Sequence, residues 1–163
     1  MGPSRAARAR RSRDHAIACG TVADEDLGEL FAAPLAGTLI RGDGASLVLA
    51  EWRDRGGGHV PPRYIAPLHI HYLDDEAWYV LEGELAVRVG ARDVTVPAGG
   101  AVLVPRGTPH TYWNPRAEPT RYLIAMSATI ATLIEALHAL ETRDEETVDA
   151  TFGSYASAYL GWP

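Results

Sequence analysis

Short apolar segments separated by turn residues fill the middle of the chain, from Thr38 to Met126. This alternation is typical of an antiparallel sandwich or barrel, and nothing in the stretch has the length and period of a long helix. The predicted strands cover residues 38–41, 46–52, 68–72, 76–81, 85–89, 93–96, 101–104, 110–113 and 120–126. Glycines between them, such as Gly83, provide the positive φ angles that tight turns require. The pattern therefore predicts an all-β region.

The period changes after Met126 and predicts two amphipathic helices. The first has apolar residues at helical spacing, namely Ile130, Leu133, Ile134, Leu137 and Leu140. Thr142 and Glu145 have the spacing of a capping box that would begin the second helix. Its apolar stripe would consist of Val148, Phe152, Tyr155 and Tyr159. Both helices must bury these faces, either against their own barrel or against another subunit.

A chain of 163 residues suits one domain. We expect residues 1–20 to be a disordered tail, residues 21–126 to form the barrel, and residues 127–163 to be a helical extension of the same domain. Residues 27–35 suit either a short helix or a strand. Cys19 is the single cysteine, so no intrachain disulfide can form, and a reducing cytoplasmic location is expected.

Charge is distributed unevenly along the chain. The net charge is -6, but five arginines crowd the first thirteen residues, and the remainder carries 10 basic against 21 acidic residues, or -11. An acidic body lacks the basic surface that nucleic-acid binding needs, so no nucleic-acid partner is expected. Apolar runs fall well short of the roughly 20 residues of a membrane span, so no membrane association is expected either.

Histidines and a glutamate form the candidate chemical site. His69 and His71 are two residues apart on a predicted strand, so their side chains project from the same face and can hold one ion together. A turn after His71 would return the carboxylate of Glu76 to this place, and His110 begins a later strand after a Pro-Gly turn. Three imidazoles and one carboxylate suit a first-row transition metal and leave open coordination positions for catalysis.

These residues carry two motifs by which the chain resembles the cupin superfamily. The first motif matches His69, His71, Glu76 and Gly83. The second matches Gly99, Pro105, Gly107, His110 and Asn114. The glycine that would open the first motif, expected near Arg63, is absent, which affects a turn and not a ligand.

The resemblance implies a cupin double-stranded β-helix, a jelly-roll barrel, followed here by two C-terminal α-helices. It also implies a metal in one mouth of the barrel and a homodimer. Strand alternation places Trp78 and Val80 on the face of Glu76, and Tyr112 on the face of His110. We expect these three to line an apolar, aromatic substrate pocket, although Val80 also suits plain barrel core.

Fold and metal do not select the reaction, because the family spans many activities. The leading hypothesis is a dioxygenase that oxidises a small organic molecule, such as an aromatic or polyketide-like compound, at Fe(II). Mn, Ni, Co, Cu and Zn are the other candidate metals. Glu76 would be the catalytic residue, acting as a general base, for which it needs a raised pKa. The alternatives are a metal-dependent isomerase or cyclase, and a non-catalytic cupin that binds a small molecule.

Overall fold

The computed structural model describes residues 39–40 and 43–163. The predictions for residues 1–20, Cys19 and residues 27–35 lie outside this part of the chain. Its strands are β1 (Leu39–Ile40), β2 (Leu47–Asp54), β3 (His69–His71), β4 (Glu76–Glu82), β5 (Glu84–Val89), β6 (Arg92–Pro97), β7 (Ala101–Val104), β8 (His110–Trp113), β9 (Thr120–Ser127) and β10 (Ser157–Tyr159). Its helices are α1 (Ala128–Ala139) and α2 (Glu145–Gly153).

Two antiparallel sheets make up the body of the molecule. Their strand orders are β1-β2-β9-β4-β7 and β10-β3-β8-β5-β6. Strand β9 alternates fully buried and half-buried residues along its whole length, as a strand with one face on a core does. The predicted all-β class with two C-terminal helices is confirmed.

The core lies between the two sheets and draws its apolar side chains from both. The first sheet supplies Trp78 and Val80, and the second supplies Leu85 and Val87, each at most 1% exposed. Side chains from facing sheets interdigitate in this way because each sheet must remove one apolar face from water. Trp78 and Val80, which were predicted to line a pocket, are thus part of this core.

The chain crosses from the first sheet to the second at Gly83, between β4 and β5. Gly83 has a φ of 74°, and a Cβ atom there would approach the carbonyl oxygen of Pro119 to 2.7 Å. Only glycine fits both the left-handed backbone and this close approach. The turn predicted at Gly83 is therefore confirmed, and it places β4 and β5 in different layers.

The second helix differs from its prediction at both ends. Asp144, not Thr142, is the N-cap, and its carboxylate accepts a hydrogen bond of 2.8 Å from the backbone N–H of Thr147. The helix begins there because this side chain satisfies one of the backbone donors that have no partner within the helix. The helix ends at Gly153, so Tyr155 and Tyr159 do not continue its apolar stripe.

The segment after α2 forms strand β10 instead of more helix. Strand β10 pairs antiparallel with β3, and Tyr159 lies opposite His69. Backbone hydrogen bonds continue this pairing, from Leu160 N to Leu68 O at 2.8 Å and from Leu68 N to Gly161 O at 2.9 Å. The backbone N–H and C=O groups at the edge of β3 need hydrogen-bond partners. The hydrogen bonds gained by pairing with β3 outweigh the helical preference that the spacing of the apolar residues indicates.

Within the described residues, no helix has the length and hydrophobicity needed to cross a bilayer.

Candidate metal centre

Four predicted ligands come together at one end of the barrel. His69 and His71 lie on β3, Glu76 begins β4, and His110 begins β8 opposite His69. Each offers a ligand atom, and these atoms all lie within 4.8 Å of one another. All four side chains are buried, with residue exposures of 5% or less. Burying polar groups without bonding partners lowers the stability of the fold. The four clustered side chains must therefore have a partner, either a proton or a metal ion.

Backbone carbonyl groups fix the orientation of two imidazole rings. The Nδ1–H of His69 donates to the carbonyl oxygen of Pro67 at 2.8 Å, and the Nδ1–H of His110 donates to that of Thr108 at 2.9 Å. A carbonyl oxygen only accepts, so Nδ1 must carry the proton in both rings. The lone pair of each neutral ring is then on Nε2, the arrangement that metal-binding histidines have.

Ser157 performs the same task for the third ring. The Nδ1 atom of His71 lies 2.8 Å from the hydroxyl oxygen of Ser157. That hydroxyl donates its own proton to the carbonyl oxygen of Tyr155 at 3.1 Å, so it accepts from His71. Ser157 is on β10 and only 6% exposed. Sequence reasoning missed it, because no motif spacing links Ser157 to a ligand 86 residues earlier.

The atoms that face each other inside the cluster are acceptors. Nε2 of His110 lies 3.1 Å from Oε2 of Glu76, and Nε2 of His71 lies 3.6 Å from the same oxygen. Two acceptors at this distance repel unless a cation lies between them. The cation is either a second proton on an imidazole or a metal ion. As ligands, three imidazole nitrogens and one carboxylate oxygen fit a divalent transition metal.

The electrostatics of the cluster favour the protonation states of metal ligands. Burial, followed by repulsion from His110 and His71, lowers the pKa of His69 to about 3. Burial raises the pKa of Glu76, but its contacts with His110 and His71 outweigh this and lower it to about 2. At neutral pH His69 is thus neutral and Glu76 ionised, which metal binding requires. A general base, in contrast, would need a raised pKa, so the catalytic role of Glu76 stays a prediction.

Three members of the cluster, His69, His71 and Glu76, line a cavity of about 230 Å³, whereas His110 does not. Among the three predicted pocket residues, Tyr112 lines this cavity, whereas Trp78 and Val80 are not among its lining residues. Burial raises the pKa of the Tyr112 hydroxyl well above its ordinary value, so the phenol is neutral. Trp78 packs behind the site, with its ring 5.9 Å from that of His110 and 5.2 Å from that of Tyr112.

The two helices and the C-terminal strand region form much of the same cavity. Their lining residues are Ile130, Leu133, Ile134, Leu137, His138, Leu140, Arg143, Val148, Phe152 and Trp162. The ring of Phe152 lies 5.4 Å from that of His69. The sequence left open whether the helices pack on their own barrel or on another subunit. The structure places their apolar faces over the cluster.

A family model described as a cupin domain matches residues 58–126, which contain all four clustered residues. No curated protein matches the chain.

Several solved structures are similar to this one. A putative sugar phosphate isomerase from Acidithiobacillus ferrooxidans is 19% identical, with a TM-score of 0.44 and 51% of each chain covered. A protein from Thermus thermophilus is 25% identical, with a TM-score of 0.46 over 63% of this chain and 93% of its own. A predicted oxalate decarboxylase from Thermotoga maritima is 22% identical, with a TM-score of 0.43 over 49% of this chain and 64% of its own. The chain thus spans about half the length of the isomerase.

Proposed function

Because this chain carries a cupin domain with a jelly-roll fold, we propose that it is a metal-dependent cupin acting on a small organic molecule. His69, His71, Glu76 and His110 would hold one divalent transition-metal ion. The observation that carries the proposal is the acceptor-only cluster, in which every Nδ1 atom has a partner outside and the Nε2 atoms of His71 and His110 face one carboxylate. Such a set of donors is preorganised for a cation.

Oxidation by dioxygen is the reaction that we propose for this site, with Fe(II) as the metal. A mixed set of three imidazoles and one carboxylate leaves positions open, and a bound transition metal there supplies Lewis acidity and redox chemistry. The residues of the chain would orient the substrate and keep water out, since the cavity wall beyond the cluster is largely apolar. The ionised Glu76 would remain a ligand or accept a proton from the substrate.

We also propose that residues 127–163 belong to the same domain as the barrel. Helix α1 contributes Ile130 and Ala131 to the common core, and β10 completes the second sheet. The homodimer and the cytoplasmic location remain predictions.

The experiment that tests the metal site is elemental analysis of the purified protein, its His71→Ala variant and a His59→Ala control. His59 lies in an exposed loop outside the cluster. We expect one transition-metal ion per chain in the wild type and the control, and a loss of most of it in His71→Ala. Absence of metal from all three proteins would overturn the proposal.

Dioxygen uptake by the metal-loaded protein then tests the reaction. The probes are phenols and β-diketones, which offer an acidic hydroxyl group or an enol to the site. Uptake that disappears in His71→Ala supports a dioxygenase. Bound metal without uptake would overturn the dioxygenase in favour of an isomerase, a cyclase or a binding protein.

A further inference from the structure

The cavity beyond the cluster has a distinct chemical character. Nearly all of its wall is aliphatic or aromatic, and Glu76 is the only acidic residue that lines it among those the structure describes. Such a wall favours an apolar body, since burying it releases water from both surfaces. A sugar or another polyhydroxylated molecule would leave its hydroxyl groups without partners there.

The size of the cavity limits the ligand. Its volume is about 230 Å³. An apolar cavity of roughly 150 Å³ accommodates benzene. The space therefore suits one ring, or an aliphatic group of similar bulk, with a short side chain.

Arg143 is exposed to solvent and adds a positive charge to this largely apolar wall. It lies between α1 and α2, and its guanidinium group donates a long hydrogen bond of 3.4 Å to the carbonyl oxygen of His138. No carboxylate of the described residues forms an ion pair with it. Arg63, Arg88, Arg106, Arg116 and Arg121 do have such partners. Arg53, Arg55 and Arg92 also lack one, but Arg143 is the only arginine of the described residues that lines the cavity. Because the exposed fork of Arg143 lines the cavity and has no carboxylate partner, an external anion can pair with it, and a planar carboxylate matches its geometry best.

Trp52 also lines the cavity and has a donor without a partner, since its buried indole N–H has no hydrogen-bond partner in the described structure. An unpartnered buried donor is uncommon, because it loses its bond to water without replacement. This nitrogen has almost no accessible surface, so the contact with the ligand's carboxylate is assigned to Arg143 alone.

We infer that the substrate is a carboxylic acid with an apolar body of about single-ring size, bound with its carboxylate at Arg143. This rests on the proposed function, in which the other end of the molecule meets the ligand cluster. The apolar body lies against α1 and α2, and the positive charge selects anions over neutral molecules of the same shape. The C-terminal region would then set substrate choice, while the barrel holds the reacting end.

Calorimetric titration of the metal-loaded protein with two probes tests the inference. The probes are 3-phenylpropionate and its neutral amide, which share their shape and differ in charge. The variants are Arg143→Gln and, as a matched change of charge, Arg92→Gln, since Arg92 is exposed on β6 and does not line the cavity. We expect the wild type and Arg92→Gln to bind the acid about 10-fold more tightly than the amide, and Arg143→Gln to lose this preference.

Three results would overturn the inference. They are equal affinity of the wild type for both probes, an acid preference that survives in Arg143→Gln, and no binding of either probe. Repeating the titrations on metal-free protein separates this inference from the metal proposal. An Arg143-dependent preference for the acid in a protein that binds no metal would uphold the inference and sink the metal proposal. Stoichiometric metal binding without an Arg143-dependent preference for the acid would uphold the metal proposal and overturn this inference.

Discussion

The cavity has two walls that differ in how their polar groups are satisfied. The barrel wall, from β2 to β9, includes three of the four clustered ligands, namely His69, His71 and Glu76, and both of its imidazoles have an anchored Nδ1 atom. The C-terminal wall, residues 130–162, is largely apolar and carries the exposed Arg143, which has no carboxylate partner among the described residues. Preorganised ligand atoms suit a bound metal ion, whereas an exposed guanidinium group without a carboxylate partner can pair with the anion of a ligand. The two walls therefore point to different tasks within one site.

Truncating a leucine to alanine in each region should give the largest difference in the free energy of unfolding. Leu85 in the barrel core is fully buried, whereas Leu137 in α1 is half-buried beside the cavity. We expect Leu85→Ala to lower the free energy of unfolding by about 2–5 kcal/mol, because it leaves a void in a packed interior. Leu137→Ala should cost about 1 kcal/mol or less, since part of its surface is already free. Urea denaturation measures both, and equal losses would contradict a tightly packed barrel beside a looser C-terminal wall.

Acid should destabilise the barrel wall through His69. The folded pKa of His69 is about 3, whereas the imidazole of an unfolded chain titrates near 6.5. Between these values the unfolded chain binds more protons, so stability falls as the pH falls from 6.5 towards 3. In metal-free protein, His69 alone should account for a loss on the order of 2 kcal/mol between about pH 7 and pH 5.

Denaturation of the wild type and His69→Gln at a series of pH values checks this expectation. The glutamine does not titrate, so the variant should lose less stability than the wild type over the same pH range. Parallel curves for the two proteins would show that His69 is not held neutral by the fold.

Ser157 is where the C-terminal region reaches into the barrel wall, and its removal tests that link. Ser157→Ala removes the acceptor for His71 Nδ1–H. Loss of such a supporting hydrogen bond weakens metal binding by about 10- to 100-fold. Ser154→Ala, at the exposed end of α2, is the control.

Metal affinity measured by competition with a chelator provides the readout for these two variants. Ser157→Thr keeps the hydroxyl group and should retain most of the affinity. Affinity unchanged in Ser157→Ala would mean that the barrel wall orients His71 without help from β10.

The smallest expected effect concerns the cap of α2. Asp144→Ala removes the side chain that accepts from Thr147 N and should cost about 1 kcal/mol. Asp149→Ala is the control, because Asp149 is exposed in the same helix and is not its N-cap. Thermal denaturation measures the difference between them. Equal melting temperatures for the two variants would remove Asp144 as the residue that begins α2.

The regular part of the molecule could be predicted from the sequence almost to the residue. Strands were predicted over residues 85–89 and 110–113, and the structure has Glu84–Val89 and His110–Trp113. The clustering of His69, His71, Glu76 and His110 was also predicted and is observed. Alternation and motif spacing are local signals, and a strand that buries one face cannot shift register without exposing its core residues.

Other features could not be predicted because they depend on contacts between distant segments. Tyr159 has helical spacing, yet it pairs in a strand because β3 offers an open edge. Arg143 and Ser157 resemble ordinary surface and loop residues until α1, α2 and β10 bring them to the cavity and to His71.

The sequence by itself thus determined the all-β class, most strand positions and the set of four clustered side chains, through periodicity and spacing. The tertiary structure alone decided which segment pairs with β3, which hydroxyl orients His71, and which charge lines the cavity with the cluster. Those outcomes follow from hydrogen bonding and burial across the fold, whose energies exceed the weak local preferences of short segments.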